Sequence, residues 1–282
     1  CVEVASPQHV ELALKAGIDV LWIGARTTVN PFMVQELADS LRGSKVPVMV
    51  KNPVNPDLGL WIGALERMEQ AGVSELAAIH RGFSTYEKTP FRNSPNWNIA
   101  IELRTISSEL PIYCDPSHIC GNRELLAGVS QRAIDLDMDG LMIETHVDPD
   151  NAWSDADQQI TPDELATLIS GLTWRNPDAT DLVIASKLEE LRAVIDNLDH
   201  QILDQMAERM KLSQEIGVHK KMNDITVFQP ERWKEIIADR ITYGTGKAIS
   251  NAFITALMKT VHDESISLQT QIMNDATKKE QL

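Results

Sequence analysis

The chain has 282 residues, enough for one or two domains, and a formal net charge of −15 at pH 7. This charge argues against a nucleic-acid partner, because nucleic-acid phosphates would repel it. Neither an apolar run near the ~20 residues that cross a bilayer nor a basic-then-apolar signal segment is evident, so we expect no membrane partner. The three cysteines do not form a disulfide framework, which favours the reducing cytoplasm.

Residues 1–172 alternate apolar strand-like runs with amphipathic helical segments. The connections are long enough for crossovers, which predicts that all the strands are parallel. The predicted strands are residues 2–4, 20–25, 46–51, 76–80, 111–114 and 140–144. The predicted helices are residues 7–16, 31–41, 60–71, 98–108, 122–137 and 162–171.

Six parallel strands indicate an incomplete (β/α)8 barrel, since closure needs eight strands and an open parallel edge is a liability. The sequence starts at Cys1, already inside a predicted strand. We therefore expect the natural protein to have an N-terminal part with two more strands. The alternative is an open doubly wound sheet, although we find no glycine-rich phosphate-binding fingerprint to support it.

Three side chains that could bind a metal follow the last two predicted strands. His118 follows the fifth strand, Glu144 ends the sixth, and Asp155 comes 11 residues later. The carboxyl ends of barrel strands meet at one mouth, so we expect these side chains to converge. One imidazole and two carboxylates suit a divalent transition metal such as Mn, Fe, Co or Zn. The alternative is that His118 caps a strand and both acids are solvated.

Cations stand at the ends of three predicted strands, at Arg26, Lys51 and Arg81. One such side chain alone is usually a solvated surface group. Three of them in one barrel mouth favour a bound phosphate or carboxylate. A metal beside an anion pocket suggests an enzyme that polarises a carbonyl while it holds a phosphorylated partner.

Six short segments of this first part form a family pattern. They are Ile23-Gly-Ala-Arg26, Val50-Lys51, His80-Arg-Gly82, Asp115-Pro-Ser-His118, Leu141-Met-Ile-Glu-Thr-His146 and Ser154-Asp155. With them, residues 1–172 resemble the metal-dependent 3-deoxy-D-arabino-heptulosonate 7-phosphate (DAHP) synthases, of the type related to 3-deoxy-D-manno-octulosonate 8-phosphate synthase.

The resemblance implies a condensation of phosphoenolpyruvate with erythrose 4-phosphate, in which the metal activates the aldehyde carbonyl. The residues that it implies are His118, Glu144 and Asp155 for the metal, and Arg26, Lys51, Arg81 and the backbone of Ala25 for the phosphate of phosphoenolpyruvate. A synthase that uses arabinose 5-phosphate is a weaker alternative.

Two parts of the family pattern do not occur in this sequence. The fourth metal ligand of these synthases is a cysteine on the first strand, and a Lys-Pro-Arg-Thr segment follows the second. Cys1 stands at the third strand and is not expected to replace that ligand. Asn52-Pro53 also stands where the family often has Arg-Gly. We therefore expect the full-length protein, rather than this chain alone, to be a competent synthase.

The composition changes at residues 173–180, a short polar stretch that we interpret as a linker. Beyond it, apolar residues at heptad spacing from Leu188 predict an amphipathic helix of about thirty residues. Its seam turns polar at Gln205 and Arg209, and a later row that starts at Phe253 also turns polar. Two such helices predict a wet pocket in a helical bundle. The alternative is a shift in register that leaves Arg209 exposed.

Six polar residues of this second part also form a family pattern: Arg192, Arg209, Lys220, Arg232, Ser265 and Gln269. With them, residues 181–282 resemble the all-helical AroQ-type chorismate mutases. The resemblance implies that the three arginines hold the two carboxylates of chorismate and that Ser265 supports its ring. Lys220 and Gln269 would hydrogen-bond the ether oxygen. This chemistry uses a dianion clamp and donors aimed at the developing charge, without a metal.

The sequence departs from the mutase pattern at Trp233, where an acid commonly follows Arg232, and at Gln229, where a common relative has Asp. Both departures affect contacts to the substrate hydroxyl rather than the carboxylate clamp. Chains of this family interlock in pairs, so the resemblance implies a homodimer through the helical domain. The long predicted helix agrees, because such a helix seldom buries its apolar stripe within one small bundle.

The two resemblances name the first step and a later branch step of the shikimate pathway of aromatic amino acid synthesis. We therefore predict a bifunctional enzyme, with a barrel at residues 1–172, a linker at 173–180 and a mutase domain at 181–282. The alternative is that the helical domain is a non-catalytic sensor of chorismate or prephenate that controls the synthase.

Overall fold

A computed structural model describes residues 1–86, 88–175 and 181–275 of the chain. The chain divides into two compact units, Cys1–Asp178 and Ala179–Leu282. The predicted linker spans this division, and its residues 176–180 lie outside the described ranges. Within those ranges, none of the helices combines the length and apolar character that a membrane span requires.

One parallel sheet of six strands forms the centre of the first unit. Each strand pairs with the next one along the chain. The strands are β1 Val2–Val4, β2 Leu21–Ile23, β3 Val48–Lys51, β4 Leu76–His80, β5 Ile112–Cys114 and β6 Gly140–Leu141. Sequential parallel strands with helical crossovers are typical of a (β/α) barrel wall, which confirms the predicted class of fold.

Helices connect these strands, and several begin at side chains that satisfy free backbone N–H groups. The helices are α1 Pro7–Lys15, α2 Ala25–Thr28, α3 Pro31–Leu41, α4 Leu58–Gln70, α5 Trp97–Ile106, α6 Pro116–Cys120, α7 Leu126–Asp135 and α8 Pro162–Gly171. Ser6, Asn30 and Asp57 cap α1, α3 and α4. Thr161 and Glu164 form a reciprocal capping box at the start of α8.

The main apolar core packs the strands against helices α1, α3 and α4. Leu21, Val48 and Val50 of the sheet are fully buried, as is Trp61 of α4. The indole Nε1 of Trp61 donates to the carbonyl of Val50 at 3.1 Å, so its polar atom is satisfied inside the core. This packing fixes the strands, and therefore the positions of the residues that follow them.

Some elements end earlier than the sequence predicts. Strand β2 stops at Ile23 because α2 starts directly after Gly24, and β6 stops at Leu141 rather than at 144. The short helix α6 was not predicted, and α7 begins at Leu126 rather than at 122. Helix α6 forms because the Asp115 side chain caps it and Pro116 occupies its first position.

The described residues of the second unit, 181–275, form three helices: α9 Leu182–Met222, α10 Pro230–Thr245 and α11 Asn251–Asn274. Helix α9 has 41 residues, longer than predicted, because it begins directly after the capping residue Asp181. Gly217 allows α11 to approach α9 closely, since a Cβ there would lie 3.1 Å from Cγ of Gln269. The predicted helical region is therefore confirmed.

Candidate functional site

The structure brings together three side chains that the sequence predicts as metal ligands. His118 lies on α6, Glu144 follows β6, and Asp155 precedes a short turn of helix at Ala156–Gln158. One ligand atom from each lies within 4.8 Å of the others. Nε2 of His118 is 3.6 Å from Oε1 of Glu144. One imidazole nitrogen and two carboxylate oxygens at this spacing fit a divalent transition metal.

Backbone contacts fix the loop that carries the two carboxylates. The N–H of Glu144 donates to Oγ of Ser117 at 3.0 Å, which ties the loop to α6. The N–H of Ile160 donates to the carbonyl of Glu144 at 3.2 Å. Asp155 has a φ of +51°, a left-handed conformation that aspartate tolerates better than most residues. The backbone at Glu144 is therefore fixed, and the carboxylates of Glu144 and Asp155 both lie near His118.

Asp115 connects the metal-binding group to the cation of β3. Its Oδ2 lies 2.9 Å from Nδ1 of His118 and accepts from Nζ of Lys51 at 2.7 Å. Burial by itself would raise the pKa of the Asp115 carboxyl, but hydrogen bonding to His118 and the charge of Lys51 lower that pKa to about 2. With Nδ1 held by Asp115, Nε2 of His118 is the atom left for a metal.

The predicted phosphate contacts occupy different environments. Lys51 is buried, and its Nζ lies 4.2 Å from the centre of the Trp22 ring. Arg81 is also buried and donates to Oδ1 of Asn93 at 2.8 Å. Burial and the charges of Arg92 and Arg26 lower the pKa of Arg81.

Arg26 and Ala25 share the short helix α2. Arg26 is exposed, whereas Ala25 is buried. Oγ1 of Thr28 on the same helix donates to the carbonyl of Lys51 at 2.9 Å, which ties α2 to the end of β3. Of the three predicted phosphate-binding cations, Arg26 is therefore exposed, whereas Lys51 and Arg81 are buried.

Sequence reasoning missed several polar residues around this site. Arg92 donates from Nη1 to Oδ1 of Asp155 at 2.6 Å and to Oε1 of Gln158 at 2.7 Å. Gln158 donates from Nε2 to Oε2 of Glu144 at 2.8 Å. Hydrogen bonding to Arg92 lowers the pKa of Asp155. Arg92 and Gln158 are not at strand ends, so strand periodicity gave no signal for them.

Two further asparagines fix the cation-bearing turn after β4. Oδ1 of Asn52 accepts from the backbone N–H of Arg81 at 2.7 Å, and its amide donates to the carbonyl of Gly82. Asn93 accepts from Arg81 and donates to the carbonyl of His118 at 2.7 Å. Asn52, which departs from the family pattern, therefore has a definite role in holding Arg81.

Helices α9 and α11 bring four of the predicted mutase residues close to polar partners in the second unit. Arg209 donates to Oγ of Ser265 at 2.6 Å, and Gln269 donates to Oγ of Ser213 at 3.0 Å. Nζ of Lys220 donates to the carbonyl of Val227 at 2.5 Å. Burial lowers the pKa of both Arg209 and Lys220. Arg209 is partly buried, so the alternative that a register shift exposes it is wrong.

The other two predicted arginines make local contacts only, as far as the described residues show. Arg192 pairs with Glu189 at 2.6 Å, and Arg232 pairs with Glu235 at 3.0 Å, each along its own helix and largely exposed. Trp233, which departs from the mutase pattern, stacks on His262 with ring centres 4.1 Å apart. Among the contacts of the described residues, neither arginine shares a hydrogen-bonding partner with Arg209.

Comparison with known proteins agrees with this division. Residues 1–177 match the DAHP synthetase I family, and residues 191–270 match chorismate mutase type II. Since the first match covers more than half of the chain, the chain belongs to the DAHP synthetase I family. It joins this segment to a chorismate mutase segment.

A phospho-2-dehydro-3-deoxyheptonate aldolase of Thermotoga maritima is 31% identical over 142 residues, which are 50% of this chain and 40% of that protein. The chain thus spans less than half the length of this relative. A 4-amino-4-deoxychorismate mutase of Streptomyces pristinaespiralis is 29% identical over 96 residues, 34% of this chain and 74% of that protein.

Two solved structures from Thermotoga maritima are also similar to the chain, each over 60% of its length. A truncated form of DAHP synthase has a TM-score of 0.53, 25% identity and 62% of its own chain covered. A phospho-2-dehydro-3-deoxyheptonate aldolase (DAHP synthase) has a TM-score of 0.54, 26% identity and 48% of its own chain covered. The first unit therefore shares the fold of these synthases.

Asp115→Asn should destabilise the first unit by about 3–5 kcal/mol, because it leaves the Lys51 ammonium buried without its counter-charge. Urea unfolding followed by tryptophan fluorescence measures this difference at pH 7. Asp39→Asn is the matched control. It breaks a pair with Arg42 in which both side chains are more than half exposed, and should cost less than about 1 kcal/mol.

A comparison of the native chain with Asp115→Asn also tests the low pKa of Asp115. A carboxyl whose pKa falls from 3.8 to about 2 on folding stabilises the folded state above pH 3.8. That contribution is lost as the pH falls towards 2. The stability difference between the native chain and Asp115→Asn should therefore narrow over this range. A difference below 1 kcal/mol at pH 7 would show that the buried pair is unimportant.

Proposed function

We propose that residues 1–172 are the barrel part of a DAHP synthase that condenses phosphoenolpyruvate with erythrose 4-phosphate. The observation that carries this proposal is the grouping of His118, Glu144 and Asp155 within 4.8 Å, joined through Asp115 to the buried cation Lys51. A divalent ion such as Mn, Fe, Co or Zn, bound by the three residues, would polarise the aldehyde carbonyl of erythrose 4-phosphate.

The cations beside this group would hold the phosphate of phosphoenolpyruvate. Lys51 has three N–H donors, of which one bonds to Asp115, so others are left for a phosphate oxygen. Arg81 offers a planar guanidinium suited to two phosphate oxygens, and Asn52 and Asn93 limit its movement. Arg26 and the backbone N–H of Ala25 would complete the site from α2.

For residues 181–282 we propose the rearrangement of chorismate to prephenate. Arg209 would hold a substrate carboxylate, together with Arg192 and Arg232. Lys220 and Gln269 would hydrogen-bond the ether oxygen as it gains charge, and Ser265 would support the ring side. The contacts of Arg209 with Ser265 and of Gln269 with Ser213 support this role, because they orient both side chains before a substrate binds.

The alternative of a regulatory sensor in the second unit is not favoured. This segment matches a mutase family and a mutase relative. The alternative of a synthase for arabinose 5-phosphate is likewise less favoured, because residues 1–177 match the DAHP synthetase family. We therefore propose one bifunctional shikimate-pathway enzyme.

A homodimer through the helical domain is part of this proposal. Leu191, Ile195 and Leu198 lie in the first half of α9, and each is about half exposed in one chain. An apolar row of this length normally packs against another helix. The same half of α9 carries Arg192, so pairing two chains would cover the row and bring Arg192 to a second site.

We place this enzyme in the cytoplasm, with small-molecule substrates and without nucleic-acid or membrane partners. Its three cysteines are all free thiols, as expected in a reducing compartment. Its net charge of −15 opposes binding to nucleic acids.

Arg209→Ala should lower kcat/KM for chorismate by about 100-fold or more, because it removes a charged contact to a dianionic substrate. The loss of chorismate absorbance, without added metal, measures this rate. Lys211→Ala is the matched control, since it removes an exposed cation on the same helix. A folded native chain that binds chorismate without turnover would support the sensor instead.

His118→Ala should raise the dissociation constant of Mn²⁺ by more than ~100-fold, because it removes one of three protein ligands. Isothermal titration calorimetry measures this affinity directly. His146→Ala is the control. His146 lies in the same loop as Glu144, but it bonds to the carbonyl of Asp148 and is not one of the three predicted metal ligands. Equal affinity of the two variants would contradict the proposed metal site.

Leu191→Lys should shift the chain from dimer towards monomer in sedimentation equilibrium, because it places a charge in the apolar row of α9. His200→Lys changes an exposed residue on the far face of the same helix and should leave the dimer intact. A native chain that sediments as a monomer at micromolar concentration would argue against the dimer.

A further inference from the structure

Gln158 is a buried polar side chain to which the proposed reaction assigns no role. It is 1% exposed although it lies at the end of a single turn of 3-10 helix, in a loop. Both ends of its amide are used. Nε2 donates to Oε2 of Glu144 at 2.8 Å, and Oε1 accepts from Nη1 of Arg92 at 2.7 Å. A buried amide satisfied on both sides has a fixed orientation.

Arg92 extends this contact to the second carboxylate of the group. The same Nη1 donates to Oδ1 of Asp155 at 2.6 Å. The backbone of Arg92 is held as well, because its N–H donates to the carbonyl of Cys120 at 3.2 Å. The side chain of Arg92 also packs closely against Gly121. A Cβ added to Gly121 would lie only 2.5 Å from Cβ of Arg92. Gln158 and Arg92 thus form one hydrogen-bonded chain between Glu144 and Asp155.

These outer contacts engage one oxygen of each carboxylate. Gln158 binds Oε2 of Glu144, which leaves Oε1, the atom 3.6 Å from Nε2 of His118. Arg92 binds Oδ1 of Asp155, which leaves Oδ2. Partners outside the ligand set orient metal-binding side chains, and losing one typically lowers metal affinity about 10–100-fold.

We propose that Gln158 is a positioning residue of the metal site, which directs Glu144 itself and Asp155 through Arg92 so that each offers a single oxygen to the ion. This inference rests on the proposed metal site. Without Gln158, the Arg92 guanidinium loses one of its two partners and Glu144 is free to rotate about its last torsion. Both changes disorder the ligand set while leaving all three ligands in the chain.

Gln158→Met tests this inference, because methionine has a similar length and no hydrogen-bonding amide. The matched control is Gln159→Met, at a neighbouring glutamine that bonds to the carbonyl of Ser154 instead. Calorimetric titration of the full chain with Mn²⁺ should give a dissociation constant about 10–100-fold higher for Gln158→Met and unchanged for Gln159→Met. The visible d–d spectrum of bound Co²⁺ should change in Gln158→Met and stay unchanged in Gln159→Met, which a general effect on folding would not produce.

Arg92→Lys is a second variant that does not depend on filling a buried space, since this side chain is 44% exposed. It keeps the charge but shortens the side chain, so the ammonium cannot reach the position from which Nη1 of Arg92 donates to both Gln158 and Asp155. It should therefore also weaken Mn²⁺ binding and alter the Co²⁺ spectrum, with the unfolding temperature of the metal-free chain within a few degrees of the native value.

The outcomes separate the inference from the proposed function. If Gln158→Met and Arg92→Lys bind Mn²⁺ as tightly as the native chain, with the same Co²⁺ spectrum, the inference is wrong and the metal site stands. If the native chain binds Mn²⁺ no more tightly than His118→Ala, the metal site is wrong and the inference falls with it.

Discussion

The buried contact between Lys51 and Asp115 is the interaction on which the site of the first unit depends. Both side chains are almost fully shielded from water, where a lone charge is costly and each group is tolerated because it meets the other. Asp115 also holds the ring of His118. The residues proposed for the phosphate and for the metal therefore share one carboxylate. A displacement of Lys51 would change the environment of His118. We therefore expect the phosphate-binding and metal-binding parts of the site to respond together.

The parallel strands and the convergence of the three candidate metal ligands could be predicted from the sequence, because each strand is a short apolar run followed by polar residues. Each strand sets the backbone position of the residues that follow it. In a barrel wall, the carboxyl ends of the strands meet at one edge. The orientation of His118 could not be predicted in this way. It depends on α6, which forms because Asp115 caps the turn after β5. Arg92 and Gln158 could not be predicted either, since both lie in loops whose path is set by tertiary contacts rather than by periodicity.

Periodicity was equally informative, and equally limited, in the second unit. The heptad spacing predicted α9, although not its first turn, which is defined by the cap at Asp181. The sequence left the environment of Arg209 open, and its contact with Ser265, 56 residues away, resolves the question. For Arg192 and Arg232, the contacts within one chain do not indicate a role. Each has a glutamate one turn along its own helix, and a pattern within one chain does not reveal what a second chain would bring near them.

The two units hold cations in different ways, and the difference bears on what each can bind. Lys51 has a carboxylate partner, so its charge is largely neutralised before any ligand arrives. Arg209 and Lys220 instead donate to a hydroxyl and to a backbone carbonyl, and neither meets a carboxylate among the described contacts. Burial lowers the pKa of both groups, since desolvation disfavours the charged form. An incoming dianion would supply a counter-charge to both groups, which supports the proposal that the second unit binds a ligand with two carboxylates.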